Sequence, residues 1–181
     1  MGMAELILVL GGARSGKSTY ALEWAKAHGE RVLFVATAQA FDTEMTERIR
    51  RHREERPTGW MTLEAPTAVA MQIGSVAQPF DTVVVDCITL LAANLILTLP
   101  EESNQETVDT EVLREIDALV ATYAQSTANW VIISNEVGMG VVPPTKLGRF
   151  YRDALGRANQ RIASAANQVT LLVAGLPWRV K

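Results

Sequence analysis

The sequence holds one cysteine, Cys87, two histidines, and no strong excess of either charge, with 17 Lys and Arg against 20 Asp and Glu for a net charge of −3. A lone cysteine excludes an intramolecular disulfide and any CxxC metal site, and a reducing cytoplasm is the expected compartment. A slightly acidic chain has no overall attraction to nucleic acid or to an anionic membrane, so neither is expected as a partner. Long apolar runs are missing too. The stretch nearest to a membrane span, Val83 to Leu99, carries Asp86 and Asn94 and falls short of the roughly 20 apolar residues a bilayer requires. Leu6–Leu10 is too short for a signal-peptide core and follows Glu5, and Gly2 is followed by Leu6 where myristoylation wants Ser or Thr. With 48% hydrophobic and 20% charged residues over 181 positions, the chain reads as one compact soluble domain, 1–181, without membrane insertion.

Short, β-branched apolar runs alternate with longer helical patterns. Strands are expected at Leu6–Leu10, Val32–Ala36, Val83–Asp86, Trp130–Ser134 and Val169–Ala174, with Trp60–Glu64 as a further short one. Their apolarity is continuous rather than alternating, as in a parallel sheet covered on both faces. Helices are expected at Lys17–Ala27, Asp42–Glu55, Thr67–Ala77, Ile88–Leu97, Thr107–Ala124 and Lys146–Ala166, and the polar Pro100–Glu106 reads as a surface loop. The alternation predicts an α/β fold with a mainly parallel sheet flanked by helices.

The first strand runs directly into Gly11-Gly12-Ala13-Arg14-Ser15-Gly16-Lys17-Ser18, which satisfies GxxxxGK[ST] and opens a helix. Glycines let the backbone curl so that its N–H groups point at phosphate oxygens, and the helix N-terminus adds positive charge. Lys17 is expected between the β- and γ-phosphates and the Ser18 hydroxyl on Mg²⁺. A P-loop site also expects an acid at the end of a neighbouring strand. Asp86, closing VVVD, fits that place, although an Asp there also serves as a helix N-cap.

His28 lies at a helix C-terminus before Gly29, where an imidazole suits the dipole. His52 stands among arginines, in Arg48-Ile49-Arg50-Arg51-His52-Arg53-Glu54-Glu55-Arg56. Phe41, Met45, Ile49 and His52 follow helical spacing and mark the covered face of that helix, with Arg48 and Arg56 one turn to either side of His52. Guanidinium groups disfavour a protonated imidazole, which leaves it free to attack a phosphate gripped by the same arginines. Spacing alone favours a solvated charged face, with Glu44, Glu47, Glu54 and Glu55 interleaved, carrying one core histidine. A nucleic-acid patch lacks interleaved aromatics. Further on, Asn135-Glu136-Val137-Gly138-Met139-Gly140-Val141-Val142-Pro143 follows a strand at the carboxyl edge of the sheet. There Asn135 and Glu136 either position substrate or water, or belong to a structural turn.

Taken together, GGARSGKS at 11–18, ATAQAFDTEMTERIRRHREERP at 36–57, NEVGMGVVP at 135–143 and RFYRDALGRANQRIA at 149–163 resemble a known enzyme family. It is the bifunctional adenosylcobinamide kinase / adenosylcobinamide-phosphate guanylyltransferase family of cobalamin biosynthesis, and the likeness runs over essentially the whole chain. The resemblance implies a RecA-like P-loop NTPase fold, a homotrimer, and Mg²⁺ with GTP, ATP, adenosylcobinamide and its phosphate as ligands. It implies that His52, in the RI-x-x-H-x-x-x-R context, accepts GMP from GTP as a phosphoramidate. Nucleotide contacts are implied at the P-loop, at Ala36, Thr37 and Ala38, at Arg53, Glu54, Glu55 and Arg56, and at Glu64 and Asp86. Some relatives carry two adjacent histidines; here Arg51 precedes, leaving His52 alone. A P-loop small-molecule kinase without nucleotidyl transfer, or a RecA-like ATPase module, are the alternatives.

Overall fold

The computed structural model describes residues 4–40, 42–54 and 56–181, with Glu44 and Arg48 described as backbone alone. Phe41, assigned above to the covered stripe, and Glu55, among the implied nucleotide contacts, lie outside the described residues. In chain order the elements are β1 (Leu6–Gly11), α1 (Lys17–Ala27), β2 (Val32–Ala36), α2 (Thr43–Glu54), β3 (Met61–Glu64), α3 (Val69–Gly74) and β4 (Thr82–Asp86). They continue with α4 (Ile88–Leu97), α5 (Gln105–Ala124), β5 (Asn129–Ile133), α6 (Lys146–Ala165), β6 (Gln168–Val173) and β7 (Leu176–Arg179). The strands make one seven-stranded sheet in the order β3-β2-β4-β5-β1-β6-β7, parallel except for β7.

The continuous apolar strands are buried on both faces, as their composition requires. Leu6, Leu8, Leu33, Val35, Val83, Val85, Trp130 and Ile132 point to the side packed by α3 to α6. Their neighbours Ile7, Val9, Val32, Phe34, Val84, Val131 and Ile133 point to the side packed by Ala21, Leu22 and Ala25 of α1. Asn94, the polar break in the apolar 83–99 stretch, is buried and donates from Nδ2 to the carbonyls of Thr37 (2.8 Å) and Pro66 (2.9 Å), tying the ends of β2 and β3 to α4.

Element ends differ from the sequence reading where a cap or turn intervenes. Asp42 is not the first helical residue of α2; its carboxylate accepts from the Met45 N–H at 2.7 Å. Asn104 caps α5 through the Thr107 N–H (2.9 Å), so that helix starts earlier than Thr107 and shortens the loop before it. α3 is cut to six residues, with Ala68 at φ 51° before it. β7 is a strand the sequence did not suggest. Ala174 and Gly175, at φ 50° and 83°, form a two-residue turn that folds Leu176–Arg179 back on β6. Its four residues are exposed and include Pro177, tolerated on an edge strand.

Candidate active site

The connection leaving β1 runs through α1 on one face of the sheet, and the connection leaving β5 runs through α6 on the other. Adjacent strands whose connections part in this way leave a crevice at their carboxyl ends. A cleft of about 910 Å³ opens there, lined by the P-loop, the end of β4 and one side of α2.

The P-loop forms one wall. Gly16 sits at φ 95° directly before α1, a backbone conformation that favours glycine, and no side chain caps that helix. Its first N–H groups are therefore available to an anion. A Cβ on Gly11 would come within 2.6 Å of the Leu172 carbonyl, so the loop packs directly on β6. The hairpin turn braces it further: the Gly175 N–H donates to the Ser15 carbonyl at 3.0 Å. Lys17, 8% exposed, reaches back over the loop and donates from Nζ to the Gly12 carbonyl at 2.6 Å. The Ser18 hydroxyl donates to the Asp86 carboxylate at 3.5 Å. This pair of hard oxygen donors, beside a phosphate cradle, has the chemistry that suits Mg²⁺.

α2 forms the facing wall. Met45, Ile49 and His52 line the cleft, so the covered stripe read from the sequence faces this opening and not the hydrophobic core. Arg50, which also borders the cleft, pairs with Glu47 (2.7 Å) and with Glu54, and Arg51 pairs with Glu47 (3.3 Å), the solvated charges the sequence also allowed. Arg53 pairs with Glu64 of β3, closing the lower end of the wall. The Arg56 guanidinium lies 3.9 Å from the Phe34 ring centroid, and its Nε and Nη1 are buried with no hydrogen-bond partner among the described residues. Burial pulls its pKa below the ordinary arginine value. An unpaired, partly desolvated cation at the edge of a cleft is a ready partner for a phosphate oxygen.

Asp86 is the electrostatic centre. Burial raises its carboxyl above the usual range, opposed by the charges of His52 and Arg56, the hydrogen bond from Ser18, and Lys17. Both walls thus converge on one carboxylate. Cys87, next in the chain, is no competing nucleophile, because burial and the Asp86 charge push its thiol up to about 12.

Of the residues singled out in the sequence, Ala13, Arg14, Ser15, Gly16, Lys17, Ser18, Ala36, Ala38, His52, Arg53, Arg56, Glu64 and Asp86 all line this cleft. Gly11 and Gly12 shape the loop from behind it. Thr37 is fully buried, donating from Oγ1 to the Cys87 carbonyl (2.7 Å) and accepting from the Cys87 N–H (2.8 Å), which fastens β2 to β4. Glu54 does not line this cleft; it pairs with Arg50 and borders a second opening with Arg53, Arg56 and Glu64. His28 is remote: its ring stacks on Trp24 at 3.7 Å and its Nδ1 bonds the Trp24 carbonyl at 2.8 Å. Thr89 and Leu90, at the start of α4, also line the cleft and carry no motif by which a sequence reading finds them. Among the described residues no three His, Cys, Asp or Glu side chains cluster to hold a metal, and no helix is long and apolar enough to cross a membrane.

Comparison with known proteins agrees with this arrangement of motifs. Residues 7–180 match the family described as cobinamide kinase / cobinamide phosphate guanyltransferase. The chain is 39% identical to the bifunctional adenosylcobalamin biosynthesis protein CobU of Escherichia coli (strain K12), over 97% of this chain and 99% of that protein. It is 40% identical to CobU of Salmonella typhimurium over the same shares, and 43% identical to the bifunctional adenosylcobalamin biosynthesis protein CobP of Pseudomonas aeruginosa over 96% of each. Among solved structures, the RadB recombinase aligns with 94% of this chain and 76% of its own at a TM-score of 0.49 and 18% identity.

Proposed function

The chain belongs to the cobinamide kinase / cobinamide phosphate guanyltransferase family, and from that premise we propose that it carries out two successive transfers in the one cleft. In the first, the γ-phosphoryl group of ATP or GTP moves to the aminopropanol hydroxyl of adenosylcobinamide. Lys17 holds the β- and γ-phosphates and offsets the charge of the transferring group. In the second, an imidazole nitrogen of His52 attacks the α-phosphorus of GTP and pyrophosphate leaves. A phosphate oxygen of adenosylcobinamide phosphate then displaces His52, giving adenosylcobinamide-GDP and the free imidazole. Ser18 and Asp86 are the residues to hold Mg²⁺, which when bound neutralises phosphate charge.

The observation that carries this reading is that His52 and Lys17, one from α2 and one from the P-loop, line the same cleft as Asp86 and both act on its carboxylate. Arg56, unpaired at its edge, supplies the cation that a nucleotide phosphate needs. The remaining contacts assigned to the nucleotide are Ala36, Ala38, Arg53 and Glu64 from the β2 and β3 ends. Assembly as a homotrimer in the cytoplasm completes the proposal; Val173, Leu176, Trp178 and Val180 supply exposed apolar surface along the β6–β7 edge for self-association.

Incubation with Mg²⁺ and, separately, α-labelled and γ-labelled GTP tests the transferase half. The expected result is an acid-labile, alkali-stable protein label from the α-position only, lost in His52→Ala. No α-label on the wild type, with phosphorylation of adenosylcobinamide retained, leaves a small-molecule kinase. Hydrolysis without either product leaves an ATPase module.

A further inference from the structure

Asn135 follows β5, the strand that lies between the P-loop strand β1 and the Asp86 strand β4. Along this extended segment Ile133 and Asn135 line the cleft, whereas Ser134 between them is completely buried. The backbone of Asn135 is fixed at both of its polar groups. Its N–H donates to Thr89 Oγ1 at 2.8 Å, and its carbonyl accepts from Asn159 Nδ2 at 3.0 Å. The residues on either side are tied to the P-loop strand, Ser134 N–H to the Val9 carbonyl (3.0 Å) and Glu136 N–H to the Gly11 carbonyl (3.1 Å). Laterally, Ile133 is in register with Asp86. α6 secures the surroundings: the Tyr151 hydroxyl donates to the Thr89 carbonyl (3.3 Å), and Arg149 donates to the carbonyls of Pro143 (3.2 Å) and Pro144 (2.9 Å).

With its backbone held from four directions, the Asn135 side-chain amide itself bonds to none of the described residues, though it borders the cleft. The neighbouring Glu136 differs on both points, since its carboxylate accepts from the Gly138 N–H at 2.5 Å and it does not line the cleft. An amide carried on a fixed backbone, its donor open to the cleft that the phosphate cradle and Asp86 also line, is placed to stabilise charge that develops in a phosphoryl transfer. We propose that Asn135 is a catalytic residue of the phosphoryl transfer, its Nδ2–H donating to a γ-phosphoryl oxygen of the triphosphate held by the P-loop. The inference rests on the reading that this cleft transfers a γ-phosphoryl group to an alcohol. In that step the bond from the γ-phosphorus to its bridging oxygen breaks, one to the acceptor oxygen forms, the hydroxyl proton passes to solvent, and nucleoside diphosphate leaves. Asn135 keeps its protons throughout. The same contact separates bound triphosphate from diphosphate, which has no γ-phosphoryl group to meet it.

The test compares wild type with Asn135→Ala and the near-isosteric Asn135→Asp. Affinities for GDP and for the β,γ-imido analogue of GTP are measured by calorimetry with Mg²⁺, and kcat and KM are measured with adenosylcobinamide. Asn135→Ala is expected to lower the triphosphate-over-diphosphate affinity ratio about tenfold, the worth of one charge-assisted hydrogen bond. It is expected to lower kcat about 10²-fold with KM for the corrinoid unchanged. Asn135→Asp, placing a carboxylate against the phosphate, is expected to lose more on both measures. An affinity ratio within twofold of wild type in both variants overturns the proposal, as does a raised KM with unchanged kcat. Should the wild type phosphorylate no corrinoid, the substrate reading fails while the affinity ratio still decides the contact.

Discussion

The P-loop wall of the cleft stands on strands β1, β4 and β5, whose residues are nearly all buried, whereas α2, the facing wall, gives none of its described residues to either hydrophobic core. The first wall is held from every side: β6 behind Gly11, the β6–β7 turn on Ser15, α4 and α6 on the loop after β5. The second is held by the Arg53–Glu64 ion pair, by Arg56 over Phe34, and by ion pairs within its own outer face. Dense burial fixes atoms to within a fraction of an ångström; exposed ion pairs do not. A site that positions a phosphate is served by the former, and on the two proposed transfers a wall that meets more than one phosphorus atom is served by the latter.

The contrast is sharpest when the same substitution is made on each side. Ile132, fully buried in β5, should cost about 2–5 kcal/mol on change to Ala, the usual loss for a filled core site. Ile49→Ala, on α2 and facing the cleft, should cost less than about 1 kcal/mol. Urea denaturation measures both, and equal losses would dissolve the distinction. Next in size, amide hydrogen exchange of α2 should be roughly thirtyfold or more faster than that of β4 and β5, because opening α2 exposes little apolar surface. Saturating GTP should narrow that gap. The smallest effects belong to the ion pairs. Glu64→Gln, removing a pair whose side chains are 52% and 58% exposed, should change stability by about 0–1 kcal/mol.

Acid acts on α2 with a definite sign. Hydrogen bonds from Arg50 and then Arg51 lower the Glu47 carboxyl from 4.5 to about 2. A depressed folded-state value means that its support is complete above about 4.5 and disappears as pH falls through about 2. An NMR titration of Glu47 should place its midpoint near that lower value, and 1 M salt should raise it, since the group is exposed and screened.

Much of this was readable before any coordinates. The strands β1, β2, β4 and β5 announce themselves because a strand covered on both faces must be apolar at nearly every position. The P-loop is legible because its glycines and lysine answer a local geometric need. β7 was not legible, since its exposed Leu-Pro-Trp-Arg is short, lacks apolar continuity and holds a proline, and it becomes a strand only because a two-residue turn lays it on β6. The covered stripe of α2 was rightly spaced, yet spacing does not say what covers it, and the answer is a cleft. Thr37 has the polarity of a contact residue but spends its hydroxyl on Cys87.

The residue types and their periods determined the α/β class, the position of the phosphate cradle and the identity of the one histidine among arginines, because each depends on neighbours within a turn or a strand. The gathering of His52 and Asp86 along one cleft, the bracing of the P-loop by the β6–β7 turn, and the fixing of Asn135 by Thr89 and Asn159 were decided by tertiary structure alone. They join segments far apart in the chain, and they exist only after β2 pairs with β4 and the end of β5 is caught between α4 and α6.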